Sequence, residues 1–162
     1  MSFEDCFKES AAILMEGAVG ERLKREYNIT PDENVALAAL IYDEEARCAM
    51  QKIYTEYAEI AVKYRLPLIV TTPTRRANKE RTLKSRFDES VIPDNVTFLK
   101  EVRKAANTEM FIGGLMGCKG DAYKATEVLS VEDSYEFHSW QTKLFKSANV
   151  DYLFAGIMPA LT

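Results

Sequence analysis

The 162-residue chain has one histidine, three cysteines, seven glycines and five prolines, and each scarcity closes off a class of function. With His138 as the single imidazole, a histidine-rich metal site is impossible. Cys6, Cys48 and Cys118 are odd in number, far apart and without a C-x-x-C pair. They suggest neither a disulfide framework nor a zinc ribbon, and reduced thiols in a cytoplasmic protein are expected. No stretch approaches the roughly 20 apolar residues of a membrane span. Met1 to Cys6 is acidic early and lacks the basic start and apolar run of a signal peptide. A basic surplus is missing too: 25 acidic residues face 21 basic ones, a net charge of −4, which argues against a dedicated nucleic-acid binder.

What is present is a core. Hydrophobic residues make up 47% of the chain, with eight Phe and eight Tyr, so disorder is excluded and a single domain is expected. Short apolar runs alternate with amphipathic stretches. Residues 12–15 predict a strand that stops at Gly17 and Gly20, followed by a short helix over Glu21–Tyr27. Residues 34–42 fit a helix or a buried strand, and their alanines favour the helix. Asp43 is an N-cap candidate ahead of Glu44 and Glu45. The helix it opens carries Ala46, Ala49, Met50, Ile53, Tyr57, Ile60, Ala61 and Tyr64 on one stripe. Leu66-Pro67 ends it, and Leu68–Thr72 follows as a strand apolar on both faces, as parallel sheets require. A helix over Asn95–Asn107, a strand over 110–115, a helix opened by Ser130-x-x-Asp133 and a strand over 151–157 before Pro159 complete the pattern. The alternation predicts a parallel α/β fold.

In such folds chemistry gathers where strands end. Glu16-Gly17 after the first strand combines a carboxylate with close backbone approach, or is an incidental acid in a tight turn. Gly113–Gly120 fails both the P-loop and the dinucleotide spacings, which leaves an active-site loop or a plain turn. Cys118 has no histidine neighbour in sequence to activate it and reads as an ordinary thiol. The basic run Arg75, Arg76, Lys79, Arg81, Lys84 and Arg86 suits a phosphate or a solvated helix face. His138, beside Phe137 and near Trp140, reads as a packing or hydrogen-bonding side chain.

Taken in order, the segments resemble the N-terminal half of the homocysteine S-methyltransferase family. Ile13-Leu14-Met15-Glu16-Gly17-Ala18-Val19-Gly20-Glu21 is similar to the opening L-x-D-G-G-x-G-T, with Glu16 for aspartate, Ala18 for glycine and Glu21 for threonine. Tyr54–Tyr64 with Leu68–Thr74 resembles Y-x-x-A-G-A-D-I-I-x-T-N-T, and Phe111–Gly120 resembles A-G-S-I-G-P-x-G. Phe137-His138, Leu144 and Asn149–Leu153 resemble F-H-x-x-Q…L-x-x-A-G-V-D-L-L, and Met158-Pro159 resembles the end of E-T-I-P.

The resemblance implies the first half of a (β/α)8 TIM barrel, with parallel strands inside and helices outside, as one domain over 1–162. It implies methyl transfer to a homocysteine-type thiol from a methyl donor, once the missing zinc-binding half completes the site. Zn²⁺ on three cysteine thiolates would favour the substrate thiolate. Those cysteines belong to the second half, and none of Cys6, Cys48 or Cys118 matches a ligand position. Glu16 and Gly17 are expected to line the amino-acid end of a pocket, Thr72 and Thr74 its mouth, with Gly113–Gly120 as a loop over it. Gly156 stands where the family has a glutamate for the substrate's amino group. That glycine and the absent cysteines suit an alternative, a non-catalytic α/β module binding a small ligand or another chain. Partners are therefore a small-molecule thiol and a methyl donor, without nucleic acid or membrane. A cut barrel adds a homo-oligomer through exposed sheet edges.

Overall fold

The computed structural model describes residues 1–120, 123–124 and 128–158. Four parallel strands, β1 (Leu14–Met15), β2 (Leu68–Thr71), β3 (Met110–Leu115) and β4 (Tyr152–Phe154), lie side by side in chain order. Between them run α2 (Val19–Tyr27), a 3-10 helix (Leu37–Tyr42), α3 (Glu44–Tyr64), α4 (Lys79–Lys84), α5 (Val91–Ala105) and α6 (Val131–Ser147). This is the expected α/β class, with strands parallel throughout. The expected Pro159 after the last strand lies outside the described residues.

The strand residues sort onto two faces. Leu14, Leu68, Val70, Met110 and Ile112 point to the helices and meet Leu23, Met50, Ile53, Tyr54, Phe98 and Leu99 in the larger core cluster. Their neighbours in sequence form rows on the opposite face, because successive strand residues alternate. One row is Met15, Ile69 and Phe111, and the next is Thr71, Gly113 and Tyr152. A helix not foreseen from the sequence, α1 (Phe3–Glu9), packs on this inner face. Ser2 and Asp5 close a capping box at its start. Its Phe3 stacks on Tyr152 with ring centroids 4.3 Å apart and meets Phe111 edge-on at 5.6 Å.

Several expectations need correction. Residues 34–42 do not form an α-helix: an antiparallel bridge between Asp32 and Ala36 comes first, then the 3-10 turns. α5 starts at Val91, four residues before the expected Asn95, because Pro93 sits in its first turn, where no intrahelical N–H is required. On α3 the buried stripe runs through Tyr54, Ala58 and Ala61, while Ile60 and Tyr64 are exposed. The spacing of three and four allowed either path, and the sheet selected the one with small residues. The strand expected over 110–115 is β3 itself, so the loop expected over Gly113–Gly120 begins only after Leu115. Gly113 must be glycine there because a Cβ would collide with the Tyr152 ring, and at Gly114 a Cβ would come within 2.6 Å of Phe145.

Candidate functional site

Glu16 follows β1 at the C-terminal edge of the sheet, and its N–H donates to the Ile69 carbonyl at 3.3 Å. One carboxylate oxygen, Oε1, accepts from the Thr71 N–H at 2.8 Å and from the Thr71 hydroxyl at 2.6 Å. The other, Oε2, is buried and has no partner. Burial pushes the Glu16 carboxyl up to about 7, against the opposing effect of the two Thr71 bonds. A carboxyl with that poise and a free oxygen is a typical binding or proton-handling group.

Three tyrosines surround this corner. The Tyr54 hydroxyl donates to the Thr71 carbonyl at 3.3 Å, and that of Tyr152 to the Val70 carbonyl at 3.2 Å. Both phenols are held above their usual range, first by burial and next by the Glu16 charge. Tyr57 donates to the Gly17 carbonyl, and the Arg22 guanidinium lies over its ring, 5.5 Å from the centroid. Arg22 is itself clamped by Glu26 at 2.7 Å and Glu56 at 2.6 Å, which joins α2 to α3. Gly17 is exposed, and a Cβ built there meets nothing within 4 Å. The space over Gly17, next to Glu16 in sequence, is open.

Thr72 and Thr74 follow β2 at the same edge, fully buried. Their hydroxyls bond each other at 2.7 Å; Thr74 donates to the Leu115 carbonyl at 2.9 Å, and the Leu115 N–H donates to Thr72 at 3.0 Å. They stitch the end of β2 to the end of β3. The structure therefore joins Glu16 to Thr71 and Tyr152, and Gly113 lies beneath the Tyr152 ring. Thr72 and Thr74 form a separate hydroxyl pair.

Beyond the strands, Gln141 joins two loops. Its amide donates to the Ala77 carbonyl at 3.0 Å and its oxygen accepts from the Gly117 N–H at 3.0 Å. Gly117 lies so close to the Arg75 carbonyl that a Cβ would collide with it. Three residues of the basic run go to separate partners. Arg81 donates to the Gly120 carbonyl at 3.3 Å, Arg75 to the Tyr123 hydroxyl at 3.4 Å, and Arg86 lies over Phe87. His138 sits edge-on to Phe137 with Nδ1 unpartnered, and burial holds its pKa down. A groove of about 840 Å³ between α4, α5 and α6, lined by Phe87 and Trp140, is built from residues other than these site residues.

Thr71, Tyr152 and Gln141 were not singled out as site residues from the sequence. Gln141 had a signal, the final position of F-H-x-x-Q. Thr71 had a weaker one, its place in the strand end Thr71–Thr74, and Tyr152 had none, since it reads as an ordinary strand residue.

The fold and this corner define a partial parallel α/β barrel with a carboxylate at the C-terminal ends of its strands. The sequence model of the homocysteine S-methyltransferase family matches residues 13–162, and the chain belongs to that family. Among solved structures, the metallated form of the homocysteine methyltransferase MmuM from Escherichia coli superposes with a TM-score of 0.73 at 17% identity. That alignment covers 92% of this chain and 55% of the MmuM chain, so the protein spans about half of that enzyme. A comparison with curated proteins gives no match.

The metal of that relative has no counterpart among the described residues. Cys6 is buried on α1, Cys48 is exposed on α3 and Cys118 is buried after β3, all three as free thiols. No group of three or more His, Cys, Asp or Glu that could hold a metal occurs among the described residues. These residues do not fit a zinc centre.

Proposed function

We propose that this chain supplies the N-terminal half of a homocysteine S-methyltransferase site, in which a methyl group passes to a homocysteine-type thiol once a zinc-binding second half completes it. The observation that carries this reading is the Glu16 carboxylate: buried, at the barrel edge where family chemistry takes place, with Oε2 uncommitted. Family membership favours it over a non-catalytic binding module.

On this reading Glu16 takes the ammonium of the amino-acid substrate, and the open side at Gly17 admits its backbone atoms. Thr72 and Thr74 shape the mouth through the locked ends of β2 and β3, and Gly113 leaves room for Tyr152 beside the carboxylate. In the transfer itself the thiol loses its proton, a sulfur–methyl bond forms, and the bond between methyl and donor breaks with its electron pair leaving on the donor. This chain's part is to bind and orient the amino-acid end. With a glycine at 156, Glu16 is the carboxylate available for the ammonium. A glutamate there would need the Phe154 ring to move, since a Cβ at Gly156 already comes within 2.6 Å of it.

Titration calorimetry of the purified chain with homocysteine tests the reading. Binding that E16Q weakens tenfold or more supports it, because a buried ammonium loses its counter-charge. Binding that is undetectable at millimolar homocysteine, or indifferent to E16Q, overturns it.

A further inference from the structure

We propose that Thr71 is the positioning residue of this site: it holds one oxygen of Glu16 so that the other is the atom offered to the ligand. The inference rests on the Glu16 reading above and deepens it.

β1 ends at Met15, and the next ladder donor on β2 is the Thr71 N–H. Its acceptor is the Glu16 side chain, at 2.8 Å. The Thr71 hydroxyl adds a second bond to the same oxygen at 2.6 Å. The carboxylate thus stands in as a ladder acceptor, and its Oε1 is held by two donors of one residue. The remaining oxygen is left buried and single.

The three tyrosines at this corner are engaged elsewhere. From α3, Tyr54 donates to the Thr71 carbonyl and Tyr57 to the Gly17 carbonyl. From β4, Tyr152 donates to the Val70 carbonyl. No phenol satisfies Oε2; the two Thr71 donors, with the Glu16 backbone N–H, favour the charged carboxylate. Thr71 therefore offsets part of the effect of burial on the pH at which the site takes a cationic head, since a neutral carboxyl offers it no counter-charge.

The test is a titration of the Glu16 side-chain carbon by NMR in the purified chain labelled at glutamate, with no ligand added. T71V keeps the N–H and the volume but removes the hydroxyl. It should raise the proton affinity of Glu16 at least tenfold, while T71S restores it to within a factor of two. Should T71V fail to fold, T71A against T71S gives the same contrast. A Glu16 titration unchanged in T71V or T71A, or displaced as much in T71S, overturns the proposal. The measurement needs no homocysteine. A chain that binds none, yet shows the expected T71V and T71S titrations, supports the role of Thr71 while the substrate reading fails.

Discussion

Glu16 ties local chemistry to stability, with a definite sign. Its folded pKa, raised to about 7 from 4.5, means that the folded chain holds a proton the unfolded chain has already lost. Its contribution is therefore most favourable at and below about pH 4.5, declines as pH rises to about 7, and is level above. At about 1.4 kcal/mol per pH unit, the decline amounts to about 2–4 kcal/mol. Urea unfolding of the native chain and E16Q from pH 4 to 8 checks this: the drop should be present in the first and absent in the second. A second residue-scale prediction concerns Ala18, which caps α2 in the left-handed region with φ 43°. A Cβ there costs about 1 kcal/mol, so Ala18→Gly should raise the urea midpoint by a corresponding amount. The sequence showed Glu16, but its poise came from burial and from Thr71, neither of which is visible in a strand-end motif.

At the scale of elements, the loops after β2 and β3 are held together by a few contacts. Gln141 satisfies a carbonyl on one loop and an N–H on the other, both in buried surroundings. Gln141→Leu keeps the volume and leaves both groups unpaired, which should cost about 2–4 kcal/mol by denaturant unfolding. Gly117→Ala should be at least as damaging, because the colliding atom is the Arg75 backbone oxygen, which cannot swing away. These elements were partly legible. Asp43 and Ser130 cap α3 and α6 as read, with Ala46 N–H donating to Asp43 at 2.9 Å and Asp133 N–H to Ser130 at 3.1 Å. The face that α3 buries was misread over its last turns, because a helix with apolar residues on two flanks is oriented only by what it packs against.

The whole molecule is a sheet with two ends. β1 and β4 are its edge strands, and Met15 and Leu153 on them are exposed. Unpaired edge amides and carbonyls recruit further strands, and each Å² of apolar surface left in water costs roughly 25 cal/mol. α1 answers part of this by laying Phe3 on Phe111 and Tyr152. The edges stay open among the described residues, so the isolated chain should self-associate through them. Sedimentation velocity over a micromolar series should show mass rising with concentration; a monomer throughout would mean that α1 and the short edge strands protect the sheet by themselves. No helix among the described residues is long and apolar enough to cross a membrane.

The sequence alone determined the strand and helix alternation, the parallel class, the family likeness and the acid at position 16, because periodicity, caps and chain order are local properties. Tertiary structure alone decided which oxygen of Glu16 is free, which threonine holds it, and that Thr72 and Thr74 turn to each other. Those outcomes depend on register between strands some fifty residues apart in sequence, as with Glu16 and Thr71. A one-residue shift in register would send every one of those side chains to the other face of the sheet.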